Sequence, residues 1–338
     1  MKIACVTTTI NIPTVLALYA KHGPDVMFFV IGDRKTPDME VVNFLTDHVP
    51  NHVYYGIDTQ HKLGWKCSQL IGESCIQRRN IGFLEALNWG ADVVVSVDDD
   101  NISLDRFYFN RMGVLLESVP FDGAQASSTS GWFDVGQLLS PKSPHRGFPH
   151  TKKAEPVFKP VVAAKVGVAA GVCLGDPDIS AAERIANGPT VHSVSELLCS
   201  GIVVDPQETW TVWNSQNTAV IRELIPAWFM IPFVGRADDI FASLIVQRAM
   251  RQTGHVTHFG RPFVFQQRNA HDLIKDLEQE TWGARHILEF AYYLEGIENR
   301  ASVVELVRAI YIHHFLRFPE ESIAAALAFC EDCERALQ

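Results

Sequence analysis

Hydrophobic positions in the first hundred residues switch between two periods. Lys2–Thr9 is an apolar run of strand length, and Pro13–Lys21 has helical spacing with proline in its first turn. Val26–Ile31 is a continuous apolar run closed by Gly32-Asp33. Met39–Asp47 reads as a short helix and His52–Tyr55 as another strand. Ser74–Trp89 puts Ile81, Leu84 and Leu87 on one helical face, with Gly90 placed as a C-cap. Val93–Val97 is then a buried strand that stops at Asp98-Asp99-Asp100. Strands and helices in alternation, with Val and Ile filling the strands, predict an α/β fold. Its sheet is mostly parallel and flanked by helices. Such sheets bind ligands at the carboxyl ends of their strands, so Thr7–Asn11, Gly32–Lys35 and Asp98–Asn101 are expected to converge on one crevice.

Residues 120–165 break the pattern with Pro120, Pro141, Pro144, Pro149, Pro156 and Pro160, and read as a long loop region of the kind that forms lids. Residues 167–265 resume mixed strand and helix. From Trp282 onward the spacing is helical, through Val303, Leu306, Val307 and Ile310 and later Ile323, Ala326 and Leu327. The expected organisation is a catalytic domain over 1–280 and a helical C-terminal extension over 281–338, which offers a surface for a homo-oligomer.

Composition narrows the class. The 338 residues are 47% hydrophobic and 20% charged, which is enough apolar material for a sizeable core. A net charge of −10 argues against general affinity for nucleic acid or anionic membranes, although a local basic pocket for phosphate stays open. The longest apolar stretch, Val161–Leu174, is interrupted by Lys165 and is too short to span a bilayer. The N-terminus does not read as a signal peptide. Seven scattered cysteines are not a disulfide framework, and a reducing cytoplasm is the expected location. Cys330 and Cys333 form one C-x-x-C whose flanks read as an amphipathic helix rather than as a zinc or redox site.

The triplet Asp98-Asp99-Asp100 carries the strongest chemical signal. Adjacent carboxylates repel unless a cation or several donors sit nearby. Residues two apart on a strand end point the same way, so Asp98 and Asp100 can converge on a metal while Asp99 faces elsewhere. Oxygen-only ligation suits Mg²⁺ or Mn²⁺, whose shells are completed by water and phosphate oxygens. The bland alternative is a solvated acidic turn. No G-x-G-x-x-G follows the first strand and no P-loop occurs, which disfavours dinucleotide dehydrogenases and P-loop nucleotidases. A diphosphate would therefore need the metal and basic side chains, with Lys35, Arg78 and Arg79 as candidates against plain surface charge.

The run Arg78-Arg79-Asn80-Ile81-Gly82-Phe83 and the run Val97-Asp98-Asp99-Asp100-Asn101, with Gly32-Asp33-Arg34-Lys35-Thr36-Pro37 upstream, resemble the Rossmann-like GT-A glycosyltransferase fold. More narrowly, they resemble STELLO-type proteins and the plant reversibly glycosylated polypeptides, which include UDP-arabinopyranose mutases. The resemblance continues through Gly171–Asp178, Asn214–Ala219 and Gly235–Ala242, where Gly235-Arg236-Ala237-Asp238-Asp239 is similar to that family's G-R-Y-D-D. It touches most of residues 1–285 as short motifs in the right order.

The resemblance implies a metal-dependent glycosyltransferase with a nucleotide-diphosphate sugar donor, UDP-linked, and an unidentified acceptor. Asp98 and Asp100 would then hold Mn²⁺ or Mg²⁺, with a histidine from the C-terminal part, His271, completing the shell. Thr7, Thr8, Thr9, Asn11 and Asp33 would hold the nucleoside; Lys35, Arg78, Arg79, Asp98 and Asp99 would surround the diphosphate. Asp238 and Asp239 precede helically spaced Ile240, Phe241, Leu244 and Ile245, so by themselves they read as a cap or dipole partner. The resemblance makes one of them catalytic. His145-Arg146-Gly147-Phe148-Pro149 is similar to the family's R-G-Y-P segment, whose arginine is the self-glycosylation site. The other readings of Arg146 are an exposed loop residue or a phosphate clamp. A mutase of the plant type and a non-catalytic nucleotide-sugar-binding subunit are the alternatives, the latter disfavoured by the intact aspartate triplet. His313 and His314 read as structural.

Overall fold

A computed structural model describes residues 1–116, 120–188, 190–268, 272–313 and 315–338. The main strands are β1 (Ile3–Thr9), β2 (Met27–Gly32), β3 (His52–Tyr55), β4 (Val93–Val97), β5 (Asn101–Ser103), β6 (Phe121–Ser128), β7 (Pro156–Ala164), β8 (Val166–Gly175), β9 (Ile202–Val204), β10 (Asn217–Ile221) and β11 (Val256–Gln266). They form one eleven-stranded sheet in the order β3-β2-β1-β4-β10-β8-β11-β9-β6-β7, with β5 added against β11. The first four strands pair in parallel, as their unbroken Val and Ile content predicts. β10 then enters antiparallel to both β4 and β8, while β8 and β11 are parallel.

The main helices are α1 (Leu16–His22), α2 (Asp38–His48), α3 (Arg79–Trp89), α4 (Tyr108–Leu116), α5 (Asp238–Thr253), α6 (Leu273–Glu295), α7 (Val303–Ile312) and α8 (Glu320–Ala336). Strand alternation sends side chains to two buried layers. Ala4, Val6 and Val94 pack with Ile81, Leu84 and Leu87 of α3, whereas Cys5, Val93, Val95 and Val97 pack with Leu16, Leu45 and Met112 of α1, α2 and α4. Helices on both faces follow from that division, and the α/β class expected from the sequence is the one that forms. Gly90 ends α3 at φ 84°, the left-handed C-cap that glycine adopts without steric cost.

Two boundaries differ from expectation. The region 120–165 is not one long loop, because β6 and β7 form a paired ladder within it. Pro156 and Pro160 read as breakers, but β7 is the terminal strand of the sheet, where a missing N–H is tolerated. The helical part begins at Leu273, where Asp272 caps α6 by accepting from the Ile274 and Lys275 amides.

The C-terminal helices share the main core. Phe229 lies 4.9 Å from Phe329, and Phe241 stacks on Phe290 at 4.9 Å. Asp332 of α8 accepts the Lys66 and Cys67 amide N–H groups, each at 2.9 Å. Among the described residues, no helix is long and apolar enough to cross a membrane, and all seven cysteines are free. Cys330 and Cys333 are buried in α8, and burial pushes both thiols up, as for ordinary helix-packing residues.

Candidate functional site

The carboxyl ends of β1, β2 and β4 open into a polar crevice of about 680 Å³. β1 contributes Thr8 and Thr9, the turn after β2 contributes Asp33 and Lys35, and β4 leads into Asp98, Asp99 and Asp100. Arg146, Asp178, Asn214, Ser215, Asp238 and Asp239 line the same crevice. Two expected residues stand apart. Thr7 is 1% exposed and does not line the crevice, because alternation along β1 turns it to the Cys5 side of the sheet. Asn11 is exposed beyond the strand and meets Thr9 only through its backbone, its N–H donating to Thr9 Oγ1 at 3.1 Å.

In the triplet, each carboxylate has a different environment. Asp98 Oδ1 accepts from Arg79 Nη2 at 2.7 Å, so a buried guanidinium already occupies one of its oxygens. Asp99 Oδ2 lies 2.5 Å from Thr9 Oγ1. Among the described residues, Asp100 Oδ1 is buried with no hydrogen-bond partner, and its Oδ2 meets only Gln266 Nε2 at 3.5 Å. Burial first, then the charge of Asp98, raises the Asp100 pKa to about 6. An uncompensated buried carboxylate oxygen is what a cation would satisfy, and this donor fits Mg²⁺ or Mn²⁺. Among the described residues, no group of three or more His, Cys, Asp or Glu side chains is arranged for a metal, so water and phosphate oxygens would have to complete a shell. His271 lies outside the described residues. His258 is 3% exposed and packs on Phe121, and burial lowers its pKa to about 4: it is a neutral core histidine.

The two adjacent arginines divide their work. Arg79 Nη1 donates to Ser96 Oγ and to the Ser215 carbonyl at 3.1 Å each, and Nη2 reaches Thr8 Oγ1 at 2.9 Å. Arg78 is fully buried, donating to Gln60 Oε1 and to the carbonyl and hydroxyl of Ser68 at 2.7–2.9 Å. Arg78 lines the crevice as well, but the Gln60 and Ser68 bonds occupy its guanidinium, so the expectation of a free surface or diphosphate-facing Arg78 is corrected: it ties the 60–68 segment to the start of α3. A one-residue step on a helix rotates a side chain by roughly 100°, which separates the two fates.

Arg146, which also lines the crevice, is 7% exposed and bridges two carboxylates. Its Nε donates to Asp178 Oδ1 at 2.9 Å and its Nη2 to Asp239 Oδ1 at 3.0 Å, while Nη1 donates to the Arg236 carbonyl. Burial works against its charge, but Asp178 and Asp239 hold the guanidinium pKa well above its ordinary value. Burial likewise opposes ionisation of Asp178, yet Arg146 and His145 hold it well below the usual carboxylate range. Arg146 is thus neither an exposed loop arginine nor one that presents a nitrogen to a sugar; it clamps carboxylates.

Asp238 and Asp239 occupy the first turn of α5 after Ala237. Asp239 Oδ2 also accepts from the Ser215 amide at 3.1 Å. Asp238 Oδ2 accepts from Gln77 Nε2 at 2.8 Å, and burial, then the charge of Asp239, raises its pKa to about 7. A chain of contacts therefore runs from Asp98 through Arg79, Ser215, Asp239 and Arg146 to Asp178. Ser215, Gln77, Asp178 and Gln266 were not singled out from the sequence as site residues. Isolated polar side chains carry no periodic signal, and of the four only Asp178 and Ser215 fall within stretches that resemble a known family, Gly171–Asp178 and Asn214–Ala219.

No family model matches the chain, and no curated protein matches it. Among solved structures, the chain is similar to the crystal structure of S. aureus TarS residues 1–349 in complex with UDP-GlcNAc. The superposition has a TM-score of 0.46 at 11% identity and covers 96% of this chain and 69% of that one. A likeness of that strength carries no argument about what this crevice binds.

Proposed function

We propose that the chain is a GT-A-type glycosyltransferase that takes its sugar from a nucleotide diphosphate, with UDP as the expected nucleotide. The observation that carries the reading is one crevice lined by an acidic triplet and basic side chains at the sheet's strand ends and by a second carboxylate pair. Its volume of about 680 Å³ suits a nucleotide sugar, since ligand sites of this class run to roughly 300–1,000 Å³.

The residues divide the task. Thr8, Thr9 and Asp33 are placed to hold the nucleoside, and Lys35 and Arg79 to balance the diphosphate, where charge grows as the glycosidic bond breaks. A divalent ion, when bound at Asp100, supplies Lewis-acid stabilisation of that same leaving group. Asp238, with its pKa raised to about 7, is partly ionised near neutral pH, and in that form would accept a proton from an acceptor hydroxyl, because a group with its pKa near the operating pH exchanges protons efficiently. Asp239 is fixed beside it by Arg146 and Ser215.

Calorimetric titration with UDP in Mn²⁺ and in chelator, followed by UDP release from a panel of UDP-sugars, tests the reading. Metal-strengthened UDP binding and sugar-dependent release are expected. Absence of UDP binding under either condition would overturn it.

A further inference from the structure

Between Leu224 and Val234 nearly every side chain is buried, but Phe233 is 55% exposed while its neighbours Ile231 and Val234 are 0% and 2% exposed. Its backbone is at φ +66°, and among the described residues only Ala163 shares a positive φ without being glycine. Bulky side chains rarely enter that left-handed region, and strain of this kind concentrates at ligand clamps.

The surrounding loop has no freedom to relax it. On one side, Asn80 Oδ1 accepts the Met230 N–H and Asn80 Nδ2 donates to the Met230 carbonyl, both at 2.9 Å. Ser322 of α8 donates to the Pro232 carbonyl at 2.6 Å. On the other side, Gly235 takes φ +65°, where a Cβ would come within 2.2 Å of the Gln279 carbonyl, and Arg236 pairs with Asp276 and Glu280 of α6. Anchored at both ends, the segment holds one aromatic ring out into the crevice. Ile76, 42% exposed, lines the same crevice beside Gln77 and Asp238.

A flat apolar surface near hydrogen-bonding carboxylates suits a pyranose, whose C–H face stacks on a ring while its hydroxyls bind polar groups. Phe233 lines the crevice five positions before Asp238, the carboxylate read as the acceptor's proton acceptor, and its exposure leaves the ring face open to a second substrate. We propose that Phe233 is the stacking platform for a pyranose ring of the acceptor, so that the acceptor is a carbohydrate or glycoside rather than a phosphate or a peptide. This rests on the nucleotide-sugar reading for the remainder of the crevice.

The test uses saturation-transfer NMR with the methyl pyranosides of glucose, galactose and N-acetylglucosamine, each with and without UDP and Mg²⁺. The proteins are wild type, Phe233→Ala, Phe233→Asn and Phe233→Trp. Asn tolerates the left-handed region, so that variant keeps the loop conformation while removing the ring. The expected result is a pyranoside signal that falls roughly three- to tenfold in the Ala and Asn variants and survives in the Trp variant. UDP affinity should hold within about twofold, and thermal midpoints should not fall, since the ring is outside the core. Equal signals in wild type and the Ala variant, or no signal from any pyranoside on wild type, would overturn the proposal. A loss of UDP affinity in step with the signal would also overturn it, assigning the ring to the nucleobase. A Phe233-dependent pyranoside signal in a protein that does not bind UDP would support the platform and remove the donor reading instead.

Discussion

Arg146 Nη2 donates to both carboxylate oxygens of Asp239, at 3.0 and 3.3 Å, across 93 positions of the chain. Its Nε donates to Asp178 at 2.9 Å, so one buried cation balances two buried carboxylates from separate segments. Removing one partner of a buried ion pair costs far more than the pair contributes, because the remaining charge stays desolvated.

Arg146→Met is therefore expected to lower unfolding free energy by about 3–5 kcal/mol in urea titration. Adding Asp239→Asn to that variant should recover part of the loss, since it removes one stranded charge. Additive losses would show that the two side chains are not coupled.

How far this site was legible from the sequence depends on how each residue reaches it. Asp98, Asp99, Asp100, Asp33 and Lys35 follow apolar strands, so the rule that ligands bind at strand ends brings them to the one crevice they line. Arg78 and Arg79 could not be told apart, because which of two adjacent side chains faces the sheet depends on where α3 begins, and it begins at Arg79 after a separate turn. Asp178 and Ser215 become site residues only through tertiary contacts. Residues 120–165 were misread because proline content does not reveal whether a strand is at an edge.

The arginine pair gives a direct contrast. Arg79→Met should weaken UDP binding by roughly tenfold or more, the scale of a lost charge-assisted contact. Arg78→Met should change UDP affinity by less than about threefold and lower thermal stability instead, since its three donors serve neutral partners inside the fold. Titration calorimetry and thermal melts of both variants check the split. An equal loss of UDP affinity in the two would refute it.

Asp238 makes stability depend on pH with a definite sign. Its folded pKa, about 7, lies above the ordinary 3.8, so the native state favours the protonated form. The stabilisation is complete below about pH 4 and is lost as pH rises through about 7. Asp238→Asn cannot ionise, so its thermal midpoint should overtake wild type progressively between those limits and run parallel above them. Melts at half-unit pH intervals read this directly, and a gap independent of pH would place the carboxylate in water.

Asp100 offers the sharpest separation of metal site from acidic turn. Its Oδ1 is buried without a partner among the described residues, and its pKa is raised to about 6 by burial and by Asp98. Without metal, Asp100→Asn should match wild type near pH 4 and be the more stable protein at pH 8, where wild type bears the desolvated charge. Adding Mn²⁺ with UDP should reverse the order. A ligand that binds only the folded state raises the wild-type midpoint with concentration, and the variant has lost an anionic ligand for the ion. Where transfer is measurable, the same change should cost about 10²–10³ in rate, the scale for removing a group that acts on developing charge. Thermal melts across a Mn²⁺ series with UDP at pH 8 distinguish the two cases. Equal shifts in both proteins would mean that Asp100 holds no ion, and the triplet would then be an acidic turn held in place by Arg79 and Thr9.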